Sequence, residues 1–141
     1  MRVILRLRRF GTRSFAVLPA LLEIKELDVR GTVEFVVDTG AEQALLSEAD
    51  AKTLNIPYKN FPEGEPAIGI GGEAKTWKIN KRVCLSFPTT IKGRIFRVII
   101  DEIQVLEKTE DLPSLIGLDF LTDANIKFVY DAPTYSAWFE W

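Results

Sequence analysis

The chain has 141 residues, of which 47% are hydrophobic and 27% charged, and its formal net charge is −2. This composition excludes an intrinsically disordered chain and argues against nucleic acid as the main partner. There is no histidine, and Cys84 is the single cysteine, which excludes Ser-His and Cys-His catalysis, an intrachain disulfide and the usual zinc sites. The length suits one domain with a substantial core, and we predict a single domain over residues 1–141.

The first 14 residues are basic. Five arginines precede Glu23, the first acidic residue: Arg2, Arg6, Arg8, Arg9 and Arg13. We interpret residues 1–14 as an N-terminal arm or an extra strand with a solvated basic face, and an RNA-binding arm is the weaker alternative. The apolar run over residues 15–22 is too short and too interrupted for a signal peptide, and no stretch reaches the ~20 apolar residues of a membrane helix. We therefore expect a cytoplasmic protein without a membrane span.

The remaining chain alternates short strand-like segments with turns. Residues 17–27 and 32–37 predict a hairpin around a polar turn at 28–31. Residues 45–54 predict a short helix, with Ser47 as N-cap and Asp50 three positions later. Further strands are predicted over residues 77–87, 94–100, 103–106, 126–130 and 135–141, and a strand followed by a helical turn over 113–121. This spacing is typical of an all-β fold, a closed barrel with one or two short helices.

A lone carboxylate ends the strand predicted over residues 32–37. Asp38 follows an aliphatic run and precedes the small residues Thr39, Gly40 and Ala41. Strand residues are packed and rigid, whereas the small residues require the backbone to turn out of the sheet. The pattern therefore predicts an acid held firmly at the rim of a core.

A glycine-rich stretch follows about thirty residues later. It consists of Ile68, Gly69, Ile70, Gly71 and Gly72. Such a segment can form a hairpin tip that presents apolar side chains and free amides, although on its own a plain mobile turn is the simpler interpretation. It does not suit a phosphate-binding loop, because no Gly-Lys-Ser/Thr follows.

Three motifs in order resemble the retropepsin-like (retroviral-type) aspartic peptidase family, in particular its cellular members. They are the Asp-Thr-Gly-Ala sequence at residues 38–41, the glycine-rich stretch at 68–72, and the hydrophobic-hydrophobic-Gly element that ends at Gly117. The resemblance covers residues 19–141. The sequence departs from the family pattern at Glu42, where Ser or Asp is more usual, and at Leu118, where retroviral members carry Arg.

The resemblance implies an acid-protease barrel formed by a single lobe that dimerises. Aspartic peptidases use two carboxylates that share one proton and activate a water molecule, without a metal or cofactor. Because this chain holds only one Asp-Thr-Gly, a second copy would supply the other carboxylate. We therefore expect a twofold homodimer, with both Asp38 residues at the axis, that hydrolyses peptide bonds as an endopeptidase with activity shifted towards acidic pH. The alternative is a catalytically weak dimeric peptide-binding module on the same fold.

The resemblance also assigns roles to individual residues. Asp38 is the acid and base, Thr39 bonds across the axis, and Gly40 lets the substrate backbone approach. Ala41, Glu42 and Gln43 line the cleft wall, residues 68–72 close over the peptide as a flap, and Gly117 packs beneath the loop that carries Asp38. The aromatic tail at residues 135–141 is expected to join an intersubunit sheet, with an ordinary core strand as the simpler interpretation.

Overall fold

The computed structural model describes residues 1–69, 72–107 and 112–141. Its helices are α1 (Glu48–Thr53) and α2 (Leu118–Asp123), with short 3-10 turns at Lys25–Leu27 and Tyr58–Asn60. The strands within these residues are β1 (Arg2–Phe10), β2 (Arg13–Ile24), β3 (Val29–Val37), β4 (Leu45–Ser47), β5 (Ala67–Gly69), β6 (Gly72–Ile79), β7 (Val83–Pro88), β8 (Ile95–Ile100), β9 (Ile103–Glu107), β10 (Ser114–Ile116), β11 (Lys127–Asp131) and β12 (Ser136–Glu140).

Strand pairing runs in the order β11-β12-β1-β2-β3-β10-β4-β9-β6-β5, and β7 branches from β2 to pair with β8. Most pairs are antiparallel, but β10 lies parallel to β3, and β4 lies parallel to β9. The predicted fold class, a single all-β lobe with two short helices, is confirmed. The predicted closure is not seen among the described residues, because the pairing order ends at β11 and β5 and no pairing joins these two strands.

The first three strands pair side by side and contribute to the core. The predicted hairpin is present, since β2 pairs antiparallel with β3 from Val17↔Val36 to Ile24↔Val29. Its turn lies at residues 25–28 and not at 28–31, because residues 29–31 are already paired in β3. Residues 1–14 form β1 and the first residues of β2, which corresponds to the extra strand rather than a free arm. Burial alternates along β2, so that one face supplies the buried residues Ala16, Leu18, Ala20, Leu22 and Ile24.

The predicted helix over residues 45–54 begins too early. Residues 45–47 form β4, which pairs with β9 and β10, and only then does α1 begin. The helix starts at the predicted cap, because the Ser47 hydroxyl accepts a hydrogen bond from the Asp50 N–H at 3.1 Å. The strand predicted over residues 77–87 is two strands, since β6 ends at Ile79 and β7 begins at Val83.

The two ends of the chain lie side by side. The Met1 amino group donates a hydrogen bond to the Trp141 carbonyl at 3.0 Å, and β1 pairs antiparallel with β12. Because β11 occupies the other edge of β12, the tail has a neighbour from its own chain on both sides. This differs from the expected intersubunit sheet and matches a core strand, in which Ala137 and Phe139 are buried. None of the helices in the described ranges is long and apolar enough to cross a bilayer.

Candidate active site

Asp38 lies in a tight turn at the end of β3. Its N–H donates to the Ile116 carbonyl of the neighbouring strand β10 at 2.9 Å. The Gly40 N–H donates to Asp38 Oδ1 at 2.9 Å, and the Ala41 N–H donates to the Asp38 carbonyl at 3.1 Å. The sheet and the turn thus fix both the backbone and one carboxylate oxygen, while the side chain stays partly open to solvent.

Gly117 lies directly against the loop over residues 38–44, called here the active-site loop. A Cβ at position 117 would stand 2.7 Å from the Ala41 carbonyl oxygen and 2.8 Å from that of Gln43. Both are backbone atoms, which cannot move aside without moving the loop itself. Gly117 therefore lies where the sequence predicted it, beneath the loop that carries Asp38.

The first turn of α2 is bonded to the active-site loop. The Leu118 N–H donates to the Ala41 carbonyl at 2.9 Å, and the Asp119 N–H donates to the Glu42 carbonyl at 3.1 Å. In return, Asp119 Oδ2 accepts from the N–H of buried Ala44 at 3.0 Å. The sequence did not single out Asp119 as a site residue. Its only signal was an acid in the first turn of the helix after Gly117, where carboxylates commonly accept backbone N–H bonds.

A second contact that the sequence analysis missed joins Gln43 on the active-site loop to the sheet. Gln104, 7% exposed on β9, donates through Nε2 to Gln43 Oε1 at 2.7 Å. In the same sheet Gln104 stands opposite Leu45 of β4 and Lys78 of β6. Gln43 is therefore bonded to β9. This strand lies between β4, which follows the active-site loop, and β6, which begins at the glycine-rich segment.

The described residues on the two sides of positions 70 and 71 pair with each other. β5 pairs antiparallel with the start of β6, with Ile68 opposite Glu73 and Gly69 opposite Gly72. Ile70 and Gly71, both assigned to the flap from the sequence, lie outside the described residues. Ile68 is 83% exposed, so this hairpin presents an apolar side chain to solvent.

The predicted site residues at positions 38–43 are neighbours on one loop, and Gly117 lies against that loop. Thr39, Gly40, Glu42 and Gln43 are exposed around Asp38. No hydrogen bond or ion pair joins Ile68 to the active-site loop within the described part of the chain. Among those same residues, no group of three or more His, Cys, Asp or Glu side chains is placed to hold a metal ion.

Comparison with protein families identifies the class to which this fold and this turn belong. Residues 26–123 match the family model described as "gag-polyprotein putative aspartyl protease". This match spans more than half of the sequence and includes Asp38, the hairpin of β5 and β6, and Gly117. The chain therefore belongs to this family of aspartyl proteases. No curated protein sequence matches it.

Solved structures show the same fold at low sequence identity. A retropepsin-like aspartic protease from Rickettsia conorii is 21% identical, with a TM-score of 0.62, and the match covers 98% of each chain. EIAV protease, solved with the inhibitor HBY-793, is 20% identical, with a TM-score of 0.55 and coverage of 86% of this chain and 99% of that one. At such identities the likeness demonstrates a retropepsin-like fold and nothing finer.

Proposed function

We propose that this protein is a homodimeric aspartic endopeptidase that hydrolyses extended peptides. The observation that carries the proposal is the geometry of Asp38, whose backbone is fixed by β10 and whose Oδ1 is held by the Gly40 N–H at 2.9 Å. An acid that is rigid and still partly exposed suits the acceptance of a proton from a bound water better than a structural role. The family membership of the chain supports the same chemistry.

The reaction requires a second carboxylate close to Asp38. Two carboxylates a few ångström apart cannot both ionise, so one holds a proton while the other accepts one from water. The activated water attacks the peptide carbonyl, and the protonated partner donates to the carbonyl oxygen. In this proposal the second group is Asp38 of another copy, because the chain carries one Asp-Thr-Gly sequence.

The surrounding residues take roles that suit their placement. Thr39 is exposed beside Asp38 and would bond across the twofold axis, and Gly40 would leave room for the substrate backbone. Ala41, Glu42 and Gln43 would form the cleft wall. The hairpin that contains Ile68 would close over the peptide and exclude water, so apolar side chains next to the cleaved bond would bind best.

The proposal is tested by Asp38→Asn, with Asp123→Asn as the matched control. Asn keeps an oxygen for the Gly40 N–H but cannot exchange a proton, so cleavage of a fluorogenic peptide library should fall about 10²–10⁴-fold while the dimer persists. Asp123, which is exposed in α2, should tolerate the same change. Cleavage by Asp38→Asn at the wild-type rate would contradict the mechanism. Peptide binding by the wild type without cleavage would instead identify a binding module.

A further inference from the structure

Strand β8 is an open edge of the sheet. It pairs antiparallel with β7 from Val83↔Ile100 to Pro88↔Ile95, and within the described residues no other strand pairs with it. No turn or loop in that part of the chain forms a backbone hydrogen bond to residues 95–100 either. Because a strand bonds each neighbour through alternate residues, the remaining N–H and C=O groups of β8 point away from β7 and are available to an added strand.

One face of β8 carries two exposed isoleucines. Ile95 is 59% exposed and Ile99 is 56% exposed, and Arg97 lies between them on the same face. The other face belongs to the core, since Val98 and Ile100 are buried. The strand therefore has an outer side on which two apolar side chains flank one cation.

The neighbouring strand does not cover these isoleucines. On β7, Pro88 stands opposite Ile95, and Cys84 stands opposite Ile99. Pro88 is itself exposed, and Cys84 is only half-buried. The apolar surface thus continues from the open edge onto the adjacent strand, where side chains of an added strand can contact it.

The guanidinium group of Arg97 forms no ion pair within the described residues. Ser86 stands opposite Arg97 on β7, and Leu21 stands opposite Ser86 on β2, so the row across these three strands contains no acid. There is no Asp or Glu on β8 itself. Asp101 follows the strand four positions after Arg97, which is about 13 Å along an extended chain. A carboxylate opposite Arg97 on an added strand would supply the missing partner.

The turn before β8 adds to the positive charge. Lys92 and Arg94 are both exposed there, and neither forms an ion pair in the part of the chain that the structure describes. Together with Arg97 they place three unpaired cations at one end and the middle of the open edge. This charge favours an acidic partner over a basic one.

Two simpler explanations account for less of this surface. A single charge on an edge strand can serve only to prevent aggregation, but that role does not explain why an isoleucine is exposed on each side of Arg97. A second copy of the same strand is disfavoured, because antiparallel pairing of β8 with itself about Arg97 would place the two guanidinium groups opposite each other.

We propose that β8 binds an extended segment of another protein, which adds a strand to the sheet. The segment would place an acid opposite Arg97 and apolar residues two positions to either side, opposite Ile95 and Ile99; these three residues are called here the β8 surface. Backbone hydrogen bonds would supply affinity, and the alternating pattern would supply selectivity. A six-residue strand buries little area, so the complex would be of the weak, transient kind. The inference goes beyond the proposed function, since β8 contributes nothing to the active-site loop or to the hairpin of β5 and β6.

The first test measures binding of a defined peptide. The probe is a fluorescein-labelled peptide, Thr-Thr-Leu-Thr-Glu-Thr-Leu-Thr-Thr, in which the central Glu lies two positions from each Leu. Its binding to Asp38→Asn, the variant expected not to cleave peptides, is followed by fluorescence anisotropy. Exchanging the central Glu for Gln removes the ion pair and should weaken binding about threefold, and exchanging it for Lys should weaken binding about tenfold.

The second test inverts the charge on the strand. Arg97→Glu keeps a charge on the open edge, and it should reverse the preference, so that the Lys-centred probe binds about tenfold more tightly than the Glu-centred one. The matched control is Arg6→Glu, because Arg6 is exposed on β1 and forms no ion pair among the described residues. This control should keep the preference for Glu. If Arg97 only prevents aggregation, the wild type and both variants will bind the two probes equally.

A disulfide between probe and strand locates the bound peptide. Opposed strand residues have Cα atoms about 4.5–5.5 Å apart, which a disulfide can bridge. In a Cys84→Ser background, Ile99→Cys should therefore crosslink in a glutathione redox buffer to a probe in which one Leu is replaced by Cys. The position that reacts gives the direction of the added strand. The matched control is Ile4→Cys, at an isoleucine that is 61% exposed on β1, and it should not crosslink above background.

The outcomes separate this inference from the proposed function. A protein that cleaves peptides, but shows neither the reversed preference in Arg97→Glu nor the crosslink to Ile99→Cys, would overturn the β8 surface and leave the peptidase intact. Reversal and crosslinking in a protein that cleaves nothing would support the β8 surface and overturn the peptidase. Probe binding that Arg97→Glu leaves unchanged would place the peptide elsewhere on the protein and would also overturn the inference.

Discussion

Gln104 donates a hydrogen bond from Nε2 to Gln43 Oε1 at 2.7 Å, across 61 positions of sequence. One partner is nearly buried on β9, and the other is exposed on the active-site loop. The bond therefore holds a side chain of the proposed cleft wall in one position without contacting the reacting atoms.

Loss of this contact should weaken substrate binding and leave the chemical step unchanged. Gln104→Leu keeps the volume on β9 and removes the donor, so KM for a peptide substrate should rise about fivefold while kcat changes little. Gln43→Ala should have a similar effect, and the double variant should be no worse than either single one. An equal fall in kcat, with KM unchanged, would contradict this role.

Asp119 is expected to stabilise the active-site loop. Asp119→Ala leaves the N–H groups of Ala44 and Phe120 without their side-chain acceptor, which should lower the free energy of unfolding by about 1–3 kcal/mol. Urea unfolding measures this difference. Asp123→Ala, on the same helix and exposed, should stay within about 0.5 kcal/mol of wild type. Equal losses of unfolding free energy in the two variants would show that the hydrogen bond to Ala44 does not stabilise the protein.

Ile68 is expected to contact substrate. Because its side chain is 83% exposed, Ile68→Ala should leave the melting temperature unchanged. Loss of its apolar surface should raise KM for apolar peptides about tenfold. The control is Ile95→Ala, which shortens an isoleucine that is 59% exposed on β8, outside the proposed cleft. If both variants bind peptides as the wild type does, the hairpin does not close over the substrate.

The buried hydroxyl of Tyr58 should make the folded protein less stable in alkaline solution. Burial raises the pKa of its hydroxyl, and the nearby Glu48 carboxylate adds to the effect. Since the folded pKa lies above the unfolded value near 10, this stability is fully present below about pH 10 and is lost as pH rises through the folded pKa.

Phenylalanine cannot ionise, so Tyr58→Phe should remove this part of the alkaline loss. Urea midpoints measured from neutral pH to about pH 11 would show a shallower decline for the variant than for the wild type. Parallel curves would mean that the Tyr58 hydroxyl does not couple folding to pH.

The features that could be predicted from the sequence are local ones. The end of a strand just before Asp38 was predicted because an apolar run stops there and small residues follow. The Ser47 cap was predicted because a cap and its bonded N–H lie three residues apart. Asp119 and Gln104 were missed because their partners lie 75 and 61 positions away. In the sequence each resembles an ordinary polar residue of a helix or strand.

Errors in element boundaries have a similar origin. Leu45 and Leu46 fit a helical pattern, but parallel pairing with Gln104 and Val105 draws them into β4. The tail at residues 135–141 was correctly predicted as a strand. The periodicity of the sequence could not predict that β1 and β11 pair with it on either side. The cytoplasmic location stays a prediction, since no feature of the fold reports on it.

The bonded ends of the chain have a practical consequence for engineering. Because Met1 and Trp141 exchange backbone hydrogen bonds, a few flexible residues can splice the end of the sequence to its beginning. New ends can then be opened at the exposed turn around Gly93, which gives a circular permutant with the same strand pairings. Such a permutant would present fused tags or a tethered second copy from the turn between β7 and β8, beside the native ends, since the Thr90 N–H donates to the Arg2 carbonyl at 2.9 Å.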